Sequence, residues 1–228
     1  MQFNSSQREI TIKVVYYGPP LSGKTTNLQA LHKLLDPSQT GHLTVLDTAD
    51  DRTLFFDLLP VTTQLASGFS VKLKLFTVPG QVIHTATRRI VLAGADGVAF
   101  IADSQRSQSR ANNEFWHGMR THLKENGLDP DATPTVIQFN KRDLPEVRSD
   151  AELAEIRSRG KEPIYPAVAI RGEGVVETLR GLLDLVLKAW SQHYEVRRHL
   201  GCSPDELIAS IFGHLRPLPP EPPTSKGT

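Results

Sequence analysis

The stretch "VVYYGPPLSGKTTN", residues 14–27, constrains the fold of this chain more than any other. Its apolar β-branched and aromatic start reads as a buried strand. A glycine, two prolines, a second glycine, a lysine and two threonines follow. A helical pattern then begins, with Leu28, Leu31, Leu34 and Leu35 on one side. Gly18, Gly23, Lys24 and Thr25 match G-x-x-x-x-G-K-[ST] in the strand–loop–helix setting the motif's mechanism needs. In such a loop, backbone N–H groups wrap phosphates and the helix N-terminus adds its dipole. Lys24 is placed to reach the outer phosphates, and the Thr25 hydroxyl suits Mg²⁺. Pro19, Ser22 and Thr26 complete the loop. Chance produces the pattern in roughly one chain in a hundred, and the strand–loop–helix context lowers that further.

Beyond this unit, strands and helices alternate. Residues 10–17, 71–78, 97–103 and 134–140 read as strands. Residues 85–92, 107–126, 151–159 and 174 to about 199 read as helices. "IYPAVAI" reads as a short strand, and residues 41–60 as strand, loop and strand. The alternation implies an α/β fold with a mostly parallel sheet covered by helices on both faces. After it, "SPDELIASIFGHL" opens with a capping serine, a proline at the first helical position and Glu206 three residues after the cap. The expected division is a main domain over 1–200, a short amphipathic helical extension over 201–215, and a proline-rich tail over 216–228 that cannot bury a core. The amphipathic helix is expected to pack on its own domain, with a partner contact as the alternative.

At 228 residues and a net charge of +1, the chain has no electrostatic footprint for nucleic acid or an anionic membrane. Its single cysteine, Cys202, rules out an intramolecular disulfide and points to a reducing, cytoplasmic interior. The polar start "MQFNSSQREI" lacks a signal-peptide core, residue 2 is Gln2, and "TSKGT" holds no prenylation cysteine, so no direct membrane anchor is expected. The histidines show no ligand spacing. Trp116 and Trp190 read as packing residues on helices.

"NKRD", residues 140–143, follows the strand "PTVIQF". The Asp143 carboxylate can accept two hydrogen bonds from the N1–H and 2-amino group of guanine, whereas adenine offers neither. The Lys141 stem can lie along the base, and Asn140 can tie this loop to the phosphate loop. The competing reading is a polar turn. Its position at the end of a later parallel strand, where base readers sit, favours guanine.

"REITIKVVYYGPPLSGKTTNLQ", "DRTLFFDLLP", "FTVPGQ", "DGVAFIADSQ" and "VIQFNKRDLP" together resemble the bacterial MglA family, small Ras-like GTPases of gliding motility and cell polarity. The resemblance covers roughly residues 8–189. It implies a Ras-like P-loop fold, GTP and GDP as ligands with Mg²⁺, a Roadblock-type (MglB-like) GTPase-activating partner, and effectors in polarity or motility. It implies that Thr53 ligates Mg²⁺ beside Thr25 and senses the γ-phosphate, and that Arg52 acts as an arginine finger in cis. It also implies that Gly80 offers its N–H to the γ-phosphate and Gln81 orients the attacking water. Over "AVAIRGEG", the N–H of Ala169 or Ile170 would meet the guanine carbonyl, against the alternative of a plain strand-to-helix loop.

Two positions depart from pattern. Thr77 stands where most Ras-like GTPases carry an aspartate that holds magnesium through water, a threonine the MglA family shares. Asp57 and Asp103 are candidate substitutes, each weighed against a plain structural carboxylate. Pro20 replaces a family glycine in the phosphate loop and stiffens it, which points to an altered intrinsic rate. Together Pro20 and Thr77 motivate an alternative, a GTP-binding scaffold with little turnover. An ATP-using P-loop enzyme is a third reading and requires "NKRD" to be incidental.

Overall fold

The computed structural model describes residues 2–4, 6–46, 56–79, 85–191 and 201–217. Within them the chain runs β1 (Gln2–Asn4), β2 (Glu9–Tyr17), α1 (Lys24–Leu34), β3 (Thr44–Leu46), β4 (Phe56–Gln64), β5 (Ser70–Thr77), α2 (Thr85–Leu92), β6 (Gly97–Asp103), α3 (Ser109–Glu125), β7 (Thr135–Asn140), α4 (Asp150–Arg159), β8 (Ile164–Pro166), α5 (Val175–Ser191) and α6 (Pro204–Phe212). Short 3₁₀ turns occupy Arg106–Gln108 and Ala169–Arg171.

One sheet takes the order β3-β4-β5-β2-β6-β7-β8, and β1 pairs with β2 off that path. Strands β5, β2, β6, β7 and β8 are parallel to one another. Strands β3 and β4 add antiparallel to the β5 edge. β1 takes the first residues of one β2 edge, Glu9 to Thr11, before β6 takes that edge from Val14 onward. This strand was not anticipated: its three residues are exposed, and the half-edge of β2 left by β6 gives them a ladder.

β2 is buried on both faces because helices cover both. Val14 and Tyr16 pack with Leu28 and Leu31 of α1 and with Leu179, Leu182 and Leu183 of α5. Val15 and Tyr17 pack on the opposite face with Val91 of α2, Met119 and Leu123 of α3, and Leu153 of α4. The period of two along the strand thus feeds two separate cores. The architecture is the expected Ras-like one, with residues 164–171 resolved into β8 and a 3₁₀ turn instead of one strand.

Helix α6 is part of the first core. Leu207, Ile208, Ile211 and Phe212 are buried in it. The capping box read from the sequence forms: the Glu206 N–H donates to Ser203 Oγ at 3.2 Å and the Ser203 N–H to Glu206 Oε2 at 2.7 Å. Arg216 then crosses the end of α1. Its backbone N–H donates to the Leu34 carbonyl at 2.7 Å and its guanidinium to the Leu35 carbonyl at 3.0 and 2.8 Å. These carbonyls belong to the last turn of α1, which has no intrahelical donors for them.

The phosphate loop leaves the carboxyl end of β2, between strands reached in opposite directions along the sheet. That is the crevice where open α/β sheets bind ligands.

Candidate functional site

The phosphate loop is shaped by two glycines at positive φ and a turn between them. Gly18 has φ 153, and a Cβ there would lie 2.2 Å from the Ile101 carbonyl oxygen. Gly23 has φ 96, and a Cβ would lie 2.2 Å from Asn140 Nδ2. Both positions therefore exclude a side chain. Between them the Ser22 N–H reaches the Pro19 carbonyl at 3.4 Å, closing a four-residue turn. Pro20 is its second residue and Leu21, at φ 59, its third. A turn with positive φ at its third residue favours proline at its second. Pro20 is thus accommodated by the backbone the loop already has.

Gly23 also begins α1, with no side-chain cap on the helix. No side chain among the described residues caps its first N–H groups, an arrangement that suits an anion. The Lys24 ammonium is buried and donates to the carbonyls of Gly18 at 3.0 Å and Pro19 at 2.7 Å. Burial pushes its pKa down to about 7, nearby Arg88 adds to the effect, and Asp57 opposes it. A cation held out of water, with two carbonyls as its hydrogen-bond acceptors among the described residues, fits a polyanion.

Thr25 donates its hydroxyl to Asp57 Oδ2 at 2.6 Å. The Thr77 hydroxyl donates to the same oxygen at 2.9 Å and accepts the Asp57 N–H at 2.9 Å. Asp57 is inward-facing, on the same side of β4 as Leu59, Val61 and Thr63. Thr77 is inward-facing on β5, one strand over. The neighbouring strand thus sets a carboxylate, Asp57, against Thr77 and Thr25. Thr25 and Asp57 give a hard oxygen donor set of the kind Mg²⁺ takes, directly or through water. They line a cavity of about 420 Å³ with Leu21, Lys24, Phe56 and Pro79. Thr26 lines it too and is half-buried. Ser22 is fully buried below the loop.

Asn140 joins the phosphate loop to the second loop. Its Nδ2 donates to the Ser22 carbonyl at 2.8 Å, and its Oδ1 accepts the Ala169 N–H at 2.9 Å. The Ala169 N–H is thereby engaged, so of the two backbone donors expected near the base, Ile170 is the one that Asn140 leaves alone. Asp143 is exposed and has no side-chain partner among the described residues. The Lys141 ammonium pairs with Asp103 at 2.7 Å. That contact separates the two candidate carboxylates: Asp103 belongs to the base loop, Asp57 to Thr25.

Gly18, Pro19, Ser22, Gly23, Lys24, Thr25 and Thr26 thus form one loop, and Asn140 ties it to Lys141, Asp143 and Ala169. Arg52, Thr53, Gly80 and Gln81 lie outside the described residues. Sequence reasoning missed Asn112 and Arg88. Arg88 is buried on α2, donates to Thr85 Oγ1 at 2.8 Å and lies over the Phe115 ring. A charged residue at an inward position of a helix was the only available signal for it.

No protein-family model matches the chain. Over 184 residues it is 46% identical to the mutual gliding-motility protein MglA of Myxococcus xanthus (strain DK1622), a span covering 81% of this chain and 94% of that protein.

Proposed function

The chain belongs to the MglA family, and from that premise we propose that it is a small GTPase switch that binds GTP and GDP with Mg²⁺, hydrolyses GTP slowly and acts in gliding motility or cell polarity. The observation that carries this reading is Asn140. One buried side chain holds the phosphate loop at Ser22 and the base-side turn at Ala169, so phosphate and base are read by one rigid unit. Asp143, exposed beside it, presents the carboxylate that suits guanine.

In the proposed mechanism Lys24 exchanges its two carbonyl partners for the outer phosphates. Thr25, with Thr53, would hold Mg²⁺, and the ion would neutralise developing charge on the phosphates. Asp57 would supply, beside Thr25, the metal-side carboxylate that Thr77 cannot. Gly80 donates to the γ-phosphate, Gln81 orients water, and Arg52 brings a permanent, planar charge to the transition state. Loss of the γ-phosphate releases Thr53 and Gly80, which makes the chemistry a switch. A Roadblock-type, MglB-like partner accelerates hydrolysis by bringing Arg52 and Gln81 into place, and polarity or motility effectors read the GTP form.

The carboxylate of Asp57 weighs against a scaffold without turnover, because the loss at Thr77 has a stand-in. The fit of Pro20 to its turn weighs the same way.

Single-turnover GTP hydrolysis, alone and with a Roadblock-type partner, tests the reading beside Arg52→Ala and Gln81→Leu. A slow rate that rises with partner and collapses in both variants is expected. GTP bound tightly without turnover under every condition means a scaffold, and ATP displacing GTP at equal concentration means an adenine enzyme.

A further inference from the structure

We propose that Asp103 is the positioning residue of the base-reading loop, and that its ion pair with Lys141, anchored to α3 through Asn112, sets how fast guanine nucleotide leaves. The inference rests on the guanine reading above and deepens it.

Lys141 has φ 65, a left-handed conformation that a long L side chain seldom adopts. Something must hold it there. Its ammonium meets Asp103 Oδ2 at 2.7 Å, with the aspartate side chain 7% exposed and the lysine 29%. A carboxylate so buried persists only when paired and hydrogen-bonded. Its second oxygen, Oδ1, accepts the Gln105 N–H at 3.0 Å. The aspartate is fixed in turn from α3. Asn112 Oδ1 accepts the Asp103 N–H at 3.1 Å, and Asn112 Nδ2 donates to the Asp103 carbonyl at 2.9 Å. The Ser104 N–H donates to the Asn140 carbonyl at 2.9 Å, so the ends of β6 and β7 move as one.

The consequence is geometric. The ion pair draws the head of Lys141 toward β6 and so fixes the course of its aliphatic stem in the loop that carries Asp143. That stem is the surface on which a base can lie. Asp103 touches no nucleotide atom; it acts through Lys141. Losing the pair frees the stem and the left-handed backbone together. Every purine that lies on the stem is then held less well, while the choice among purines stays with Asp143.

The test uses full-length protein loaded with N-methylanthraniloyl-GDP and chased with excess GDP. The variants are Asp103→Asn, Lys141→Met, the double variant and Asp143→Ala. Asp103→Asn keeps the side-chain shape and, through its one amide oxygen, the Gln105 contact; it loses the charge and turns a donor NH2 toward the Lys141 ammonium, so the pair is broken. Release on the order of tenfold faster is expected from the loss of a charge-assisted hydrogen bond. Lys141→Met should do the same, and the double variant should be no faster than either. The preference for GDP over IDP should be unchanged in Asp103→Asn and reduced in Asp143→Ala, a split that general loosening of the fold does not produce. Release within twofold of wild type in Asp103→Asn, or additive effects in the double variant, overturns the proposal. Lys141→Met reads the same pair from its exposed side if Asp103→Asn folds poorly. Failure of the wild type to take up labelled GDP is visible before any variant is compared, and it removes the guanine reading along with this one.

Discussion

Replacing Asn140 with alanine removes one buried side chain and opens two gaps at once. The Ser22 carbonyl loses its donor at 2.8 Å and the Ala169 N–H loses its acceptor at 2.9 Å. Asn140 is 2% exposed, so bulk water does not replace it. Each stranded group costs about 1–3 kcal/mol. The sum, about 2–4 kcal/mol after partial relaxation, is a large share of the roughly 5–15 kcal/mol that holds a typical domain. For a chain of this size it lowers Tm by roughly 5–15 °C. Urea unfolding of nucleotide-free protein measures the cost directly, and the dissociation rate of labelled GDP measures the loss of contact between the two loops. Asn140→Asp is the sharper companion. One oxygen still accepts from Ala169, but the other faces the Ser22 carbonyl, lone pair against lone pair. It should cost as much as alanine or more, although it is isosteric. A change below about 0.5 kcal/mol in Asn140→Ala, with GDP release unaltered, would refute the idea that this side chain unites the site, since that lies within the range of ordinary surface substitutions.

Burial of Lys24 among its loop carbonyls pushes its pKa down to about 7, so nucleotide binding should take up a proton. Below that pH the ammonium is already charged, and above it the bound polyphosphate restores the charge. Uptake should be small near about pH 6 and approach one proton near about pH 8.5, read by calorimetry in buffers of different ionisation enthalpy. Asp57→Asn keeps the Thr25 and Thr77 neighbours but removes the negative charge that Asp57 offers to the metal's surroundings. It should weaken Mg²⁺ dependence of GDP retention about 10–100-fold, measured by titrating Mg²⁺ against GDP release. In α6, Leu207→Ala should cost about 2–5 kcal/mol in chemical unfolding, because Leu207 is fully buried. A cost below about 1 kcal/mol would mean that the helix does not belong to the folding unit.

What was legible in the sequence was whatever depends on neighbours along the chain. The phosphate loop is one such feature: its glycines, lysine and threonine act within a single strand–loop–helix unit, and the residue types state the backbone they need. The capping box at Ser203 and Glu206 is another, since both bonds span three residues. The alternation of strand and helix implied a covered parallel sheet for the same reason. The contacts that join distant segments were not legible. Asp57 carries no local mark of a role. Only the pairing of β4 with β5 sets it against Thr77, and only the packing of α1 brings Thr25 to its oxygen. Asp103 looked like a second candidate for the metal until β6 and β7 paired and gave it to Lys141. Helix α6 showed an apolar face, but a face does not name what covers it. By itself, then, the sequence determined the P-loop unit, the fold class and the base-reading motif, because each is written within a short stretch of chain. Only the tertiary structure decided which carboxylate serves which loop and where the last helix docks, because those contacts exist only once segments far apart in sequence meet.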